Sequence, residues 1–258
     1  MASSIRLTVT LLGAVVVVAA CAFPPVLIPT HQLLRDVYVR GPGNAPVVAL
    51  TFDDGPNGRC TADILDALAE TATPATFFVL GANVAGAENA ALVARMVREG
   101  HEVGLHGWAH SLNPLFDRGW TQTDIDRARD AVVHALRDAG FADIEPRYYR
   151  PPFGFLTAAV VHAAATRHLA IVEWTVSVED WRNGRTAAEL ADAVIAEARP
   201  GDILVLHDGD KTNQRSQHAC VDRPEHAEAV RRLIPGLAAH GLRVARLAEV
   251  LTSIPPSH

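Results

Sequence analysis

The sequence predicts an α/β fold: a parallel sheet wrapped by helices, closed as a barrel or left open and doubly wound. Three observations predict it. From Ala45 onward, apolar and β-branched runs alternate with segments of helical period. The length, 258 residues, suits one large domain, since α/β barrels run to roughly 250 residues as single units. No linker rich in Pro, Gly or Ser divides the chain, and no repeat of solenoid length is evident.

The expected strands are 47–52, 75–80, 102–105, 171–178, 203–206 and 242–247, each a short, largely apolar run. Helical periods lie between them. Ile64, Leu65 and Leu68 make the first, then Leu92, Val93, Met96 and Val97, then Ile125, Val132, Val133 and Leu136. Leu190, Val194 and Ile195 make another, and Val230, Leu233 and Leu237 the last. Thr123 followed by Asp126 suits a helix start, and Gly100 and Gly140 suit helix ends.

Residues 1–21 differ in kind. A short n-region with one positive charge, Arg6, precedes an apolar run over 7–20. The run falls short of the ~20 residues that span a bilayer and suits the core of a signal peptide. Val18-Ala19-Ala20-Cys21 resembles a bacterial lipobox, in which Cys21 is lipidated and becomes the new N-terminus. The alternative is an uncleaved anchor continuing through Ile28. Both place the rest outside the cytoplasm, lipid-anchored to the outer membrane face or secreted, with 22–44 as a juxtamembrane linker and 45–252 as the folded domain.

Bulk numbers mainly exclude. With 49% hydrophobic and 20% charged residues the chain is globular rather than disordered. Its 23 Lys+Arg against 29 Asp+Glu leave a net charge of −6, without the basic footprint of a nucleic-acid binder. Three cysteines cannot form a disulfide framework. In an oxidising compartment Cys60 and Cys220 read either as one bridge or as two unrelated buried small hydrophobes.

Chemistry in such folds gathers where strands end. After 47–52 comes Asp53-Asp54-Gly55-Pro56, whose turn lets both carboxylates lean into the barrel mouth; taken alone, it reads as a loop cap. After 102–105 comes His106-Gly107-Trp108-Ala109-His110, with the two imidazoles spaced to share a metal on one helical turn. Asp54, His106 and His110 would make a two-His, one-carboxylate site with open positions, a catalytic rather than structural pattern. Arg150, in Arg150-Pro151-Pro152-Phe153-Gly154, suits a guanidinium that keeps a carboxylate ionised, or one that ties two loops together. Asp180-Trp181 and His207-Asp208 follow the next strands, and a buried His beside a carboxylate is a common build for a tuned acid or base.

Taken in order, Thr51-Phe52-Asp53-Asp54-Gly55-Pro56, His106-x-x-x-His110, Arg150-Pro151-Pro152-Phe153-Gly154, Asp180-Trp181 and Leu204-Val205-Leu206-His207 resemble the five motifs of the polysaccharide deacetylase family. These are the NodB-homology, or carbohydrate esterase family 4, enzymes. The resemblance covers roughly 45–251. It implies a distorted (β/α) barrel and metal-dependent hydrolysis of N-acetyl groups on a glycan, of peptidoglycan or chitin type. By resemblance, Asp53 is the general base and Asp54, His106 and His110 hold one divalent ion, Zn2+ first, with Co2+ or another ion as alternatives. Arg150 partners Asp53, Asp180 orients His207, and His207 is the general acid. Phe153 supplies a backbone N–H to the oxyanion, while Trp181 and Val205 wall the acetyl pocket. Three residues depart from the family pattern: Gly107 for Ser or Thr, Val205 for Leu, and Phe153 for Tyr.

The expected partner is an N-acetylated polysaccharide or oligosaccharide, met by a monomer, with no nucleic acid and with N-terminal membrane anchoring. Phe116 and Trp120, in a long loop, read as sugar-stacking faces or as packing. A Cys60–Cys220 bridge would clamp two loops of the site. Two other functions remain open: an O-acetyl esterase on xylan-like polysaccharide, and a non-catalytic glycan-binding relative. The other nine histidines are read as surface or packing residues.

Overall fold

Parallel strands that alternate with helices can only pair side by side if each crossover returns over one face of the sheet. The computed structural model, which describes residues 37–182, 184–209, 220–221 and 223–252, follows that rule. The export segment 1–21 with Cys21, and the linker up to residue 36, lie outside the described residues.

Strand β1 (Val37–Tyr38) precedes β2 (Val47–Asp53), helix α1 (Gly58–Ala69) and β3 (Thr76–Val79). Helices α2 (Gly81–Val84) and α3 (Ala87–Arg98) lead to β4 (Glu102–Leu105). A 3-10 turn at Asn113–Phe116, α4 (Arg118–Asp138) and β5 (Tyr148–Tyr149) follow. A second such turn at Pro152–Gly154 and α5 (Ala158–Ala165) lead to β6 (Ala170–Val172) and β7 (Val176–Ser177). The rest is α6 (Ala187–Glu197), β8 (Ile203–His207), α7 (His226–Ala239), β9 (Arg243–Ala245) and α8 (Leu247–Thr252). Among the described residues no helix is long and apolar enough to cross a membrane.

The sheet order is β1-β6-β5-β4-β3-β2-β8-β7, with β9 also on β2 and every pair parallel. Strands β6 and β7 are consecutive in the chain yet sit at opposite flanks of that order. The single strand expected over 171–178 is therefore two. Its residues Glu173-Trp174-Thr175 carry the chain across the seam where the curled sheet meets itself, giving a distorted barrel. Strand β1 pairs with β6, so the sheet reaches back into the segment read as a linker. Strands β1 and β5 hold two residues each, too few to leave a periodic signal.

The two-residue period of a strand sorts its side chains. Val48, Leu50 and Phe52 of β2 face outward into the core shared with the helices. Val47 and Ala49 face inward with Phe78, Val172 and Ile203, and Leu247 and Val250 of α8 plug the end where β2 and β8 begin. The same alternation aims Thr51 and Asp53 of β2, and Val205 and His207 of β8, into the other end of the barrel. Helix α4 starts earlier than Thr123. Asp117 caps it by accepting from the Trp120 N–H at 2.9 Å, and Thr123 lies inside it, donating its hydroxyl proton to Gly119 O at 2.9 Å. Gly100 and Gly140 follow the ends of α3 and α4, as expected.

Candidate active site and metal centre

Asp53 and His207 are register partners on adjacent strands, the last paired residues of β2 and β8. Their separation is therefore a strand spacing rather than a loop geometry. The turn after Asp53 holds Asp54 at a left-handed φ of 76° and contains a cis Gly55–Pro56 bond. Only glycine fits at position 55, because a Cβ there would lie 2.0 Å from Oδ2 of Asp208.

Asp54, His106 and His110 converge as expected from their spacing, with their ligand atoms all within 4.8 Å of one another. Asp54 Oδ1 lies 3.6 Å from His106 Nε2 and 3.8 Å from His110 Nε2, beyond ordinary hydrogen-bond length. The separations suit donors that share one ion, since ligands ~2.1 Å from a tetrahedral centre are about 3.4 Å apart. His106 Nδ1 faces the Arg150 carbonyl oxygen at 2.7 Å. A carbonyl only accepts, so the proton sits on Nδ1 and the Nε2 lone pair is turned toward Asp54. One carboxylate, two imidazoles and a fixed tautomer fit a divalent metal. The segment carrying the histidines is a bend rather than the expected helical turn.

Arg150 is wholly buried, which is costly unless every donor is used. Its Nη1 donates to Asp53 Oδ1 at 2.7 Å and to Thr51 Oγ1 at 2.8 Å. Nε donates to the carbonyl of Val172 at 2.9 Å and Nη2 to that of Glu173 at 3.1 Å. The guanidinium carbon lies 4.0 Å from the centre of the Phe78 ring. The two readings of Arg150 thus coincide: it partners Asp53 and it stitches the seam. Glu173, missed in the sequence, is buried beside this pair; burial pushes its carboxyl up to about 7, Arg150 opposing and Asp53 adding.

Asp180 Oδ1 accepts from His207 Nδ1 at 2.8 Å, and Oδ2 accepts from the His207 backbone N–H at 2.7 Å. Burial alone would raise the Asp180 carboxyl, but the charge and hydrogen bond of His207 and the contact with His226 hold it far below its usual range. The reverse holds for His207. Burial would lower it, yet Asp180, with Asp54 and Asp53 behind it, raises it to about 9. Trp181 is 45% exposed and sets its ring edge-on to His207, centroids 5.3 Å apart. Val205 is buried between Thr51 and Ser177 in the register, one inward position below His207.

Phe153 has a left-handed φ of 62° and packs against His110, ring centroids 4.1 Å apart. Phe155 lies 6.1 Å beyond it and Phe116 a further 6.3 Å, forming an exposed aromatic strip that leads away from the metal ligands. Trp120 is exposed on α4 and joins no ring contact among the described residues. Cys60 and Cys220 form a disulfide, 160 residues apart in sequence. Asp208, beside the proposed acid, is fully buried. Burial pushes its carboxyl up to about 7, against the hydrogen bond it accepts from Thr61 Oγ1 at 2.6 Å.

Residues 40–172 match the family model described as polysaccharide deacetylase. A chitooligosaccharide deacetylase of Sinorhizobium fredii is 36% identical over 225 residues, 87% of this chain and 97% of the relative. The chain belongs to the polysaccharide deacetylase family. Its fold is that of a crystallised peptidoglycan N-acetylglucosamine deacetylase, Bc1960, with a TM-score of 0.73, 26% identity, and 90% of this chain and 99% of that one covered. A family 4 acetyl xylan esterase from Clostridium thermocellum, in complex with a cobalt ion, gives a TM-score of 0.66 at 30% identity, covering 81% of this chain and 93% of that one.

Within this deacetylase the departure at Gly107 has a physical reason. Gly107 adopts φ 85°, and a Cβ there would sit 2.5 Å from Oδ2 of Asp124. Asp124 accepts from the Trp108 N–H at 2.9 Å, so its carboxylate occupies the space a side chain at 107 would need.

Proposed function

We propose that this polysaccharide deacetylase is a metal-dependent N-deacetylase of N-acetylglucosamine glycans, of chitooligosaccharide or peptidoglycan type, acting outside the cytoplasm. The observation that carries the proposal is the placement of Asp53 and His207 as register partners beside the Asp54, His106 and His110 cluster. A divalent ion on those three residues, Zn2+ by the donor set, would polarise the acetyl carbonyl and lower the pKa of water. Asp53, ion-paired with Arg150, accepts a proton as water attacks the carbonyl carbon. The Phe153 backbone N–H, held at its unusual φ, is the candidate donor to the developing oxyanion. His207, protonated on both nitrogens, gives its Nε2 proton to the departing amine as the C–N bond breaks. Acetate and a free glucosamine amine result, and one water is consumed.

Trp181 and Val205 would wall the pocket for the acetyl methyl, and the strip Phe153, Phe155 and Phe116 suits stacking of further sugar rings. The Cys60–Cys220 bridge supports an oxidising compartment, as does the N-terminal segment read as an export signal with Cys21 as its lipidation site. A second reading, O-acetyl ester hydrolysis, is favoured by the likeness to the acetyl xylan esterase. Acetate release from chitooligosaccharides, peptidoglycan and acetylxylan, measured side by side with and without chelator, tests both. Release from the first two that chelation abolishes is expected; release from acetylxylan alone, or activity indifferent to chelation, refutes the proposal.

A further inference from the structure

His226 belongs to none of the motifs, and with the unassigned histidines it reads as a surface or packing residue. The structure buries it, in keeping with packing, and adds a specific contact. His226 is the first residue of α7 and is 3% exposed. Its Nε2 lies 2.7 Å from Asp180 Oδ2, the carboxylate oxygen that His207 leaves to its own backbone N–H. Asp180 is thus gripped by two imidazoles, one on each oxygen. An ionised carboxylate only accepts, so His226 Nε2 carries a hydrogen and donates it. The other ring nitrogen, Nδ1, is buried without a hydrogen-bond partner among the described residues, so among them the contact with Asp180 is the side-chain hydrogen bond of His226.

His226 is itself held from several directions. Its backbone N–H closes a turn onto Arg223 O at 3.2 Å. The neighbouring Glu225 accepts from the Ala187 N–H at 3.2 Å, tying the start of α7 to the start of α6. Upstream, Cys220 is bonded to Cys60 at the start of α1. Asp180, by contrast, sits in a loop directly after Glu179, whose φ is 51°, and before the exposed Trp181. The braced element lends its position to the unbraced one.

We propose that His226 is a positioning residue for the reaction, fixing the Asp180 carboxylate so that Asp180 in turn fixes His207 in orientation and acid strength. The proposal rests on the reading of His207 as the proton donor. A hydrogen bond to Oδ2 draws charge away from Oδ1, so Asp180 holds the His207 proton less tightly than it would alone. Among the described residues, the charged groups that act on His207 are Asp180 from the loop after β7 and Asp53 and Asp54 from the end of β2. Of these contacts, the Asp180 carboxylate is the one that His226 touches.

The test compares His226→Leu, which removes the donor, with His226→Gln, whose amide can donate from a similar reach. For His226→Leu, kcat for acetate release falls about tenfold with KM within twofold, a fraction of what a whole general acid contributes. The 15N titration midpoint of the His207 imidazole, followed by NMR, rises by about half a pH unit. His226→Gln restores most of both. An unchanged or lowered His207 midpoint in His226→Leu, or equal loss in both variants, overturns the proposal. If wild-type protein releases acetate from no acetylated glycan, the hydrolytic reading fails instead, and the NMR comparison still decides whether His226 controls His207.

Discussion

Replacing Arg150 by Lys keeps the charge and discards the fork. Lysine offers three donors on one atom at the end of a flexible stem, whereas Arg150 spreads its donors around a plane to reach Asp53, Thr51 and the carbonyls of Val172 and Glu173. An ammonium placed to keep Asp53 and Thr51 leaves both carbonyls without this donor in a wholly buried site. Each orphaned acceptor costs about 1–3 kcal/mol, so the pair costs about 4 kcal/mol. For a domain of this size that is a fall in Tm of about 8–16 °C. Activity drops as well, because Asp53 loses its fixed partner. Thermal unfolding by circular dichroism and acetate release from a chitooligosaccharide measure the two effects on the same preparation. A variant that melts within about 3 °C of wild type, whatever its activity, would falsify the claim that Arg150 holds the seam.

Five further outcomes are expected. The alkaline limb of kcat reports loss of the His207 proton, which burial weakens but Asp180, Asp54 and Asp53 hold up to about 9; a cation on Asp54 would offset part of that, so activity should fall as pH rises, with a midpoint below 9. For stability the same raised value acts in one direction: the His207–Asp180 contribution is complete below about pH 6.5 and is lost as pH rises through 9, which denaturant melts between pH 6 and 10 should show. Asp54→Ala should remove high-affinity Zn2+ binding in calorimetric titration while leaving the melting temperature of the metal-free protein within a few degrees. Opening the Cys60–Cys220 ring with Cys220→Ser should cost up to about 5 kcal/mol by the chain-entropy relation for a loop of this span, read from guanidinium midpoints. Gly107→Ser, which would restore the hydroxyl residue that the family resemblance implies, should destabilise by about 1–3 kcal/mol, since Asp124 fills its space; a neutral or stabilising result would refute that account.

The barrel was legible because its longer strands write themselves in alternation and its site residues follow strand ends. Strands β2, β3, β4 and β8 lie within a residue of the expected positions. The rest depended on contacts that local pattern does not encode. Strands β1 and β5 are two residues long and are defined by the strands they pair with, β1 by β6 and β5 by β4 and β6. The 171–178 run has the composition of one strand, and only closure of the sheet breaks it at 173–175. In the site, Asp53, Asp54, His106, His110, Arg150, Asp180 and His207 could be named because each sits in a recognisable local string. Glu173 and His226 could not, since each is one ordinary residue whose meaning comes from what folding sets against it. Gly107 is an intermediate case: its departure from the family pattern was visible, and its cause, Asp124, was not.

The pairing of Asp53 with His207 across β2 and β8 has a consequence for how such a protein can change. Both residues hang from one hydrogen-bonded ladder, while Phe116, Phe155 and Trp181 hang from the segments between elements. Lineages can therefore redraw the surface that meets the polymer without disturbing the spacing at which protons are handed over. Diversity of glycan and constancy of chemistry then reside in separate parts of one chain, free to drift at different speeds.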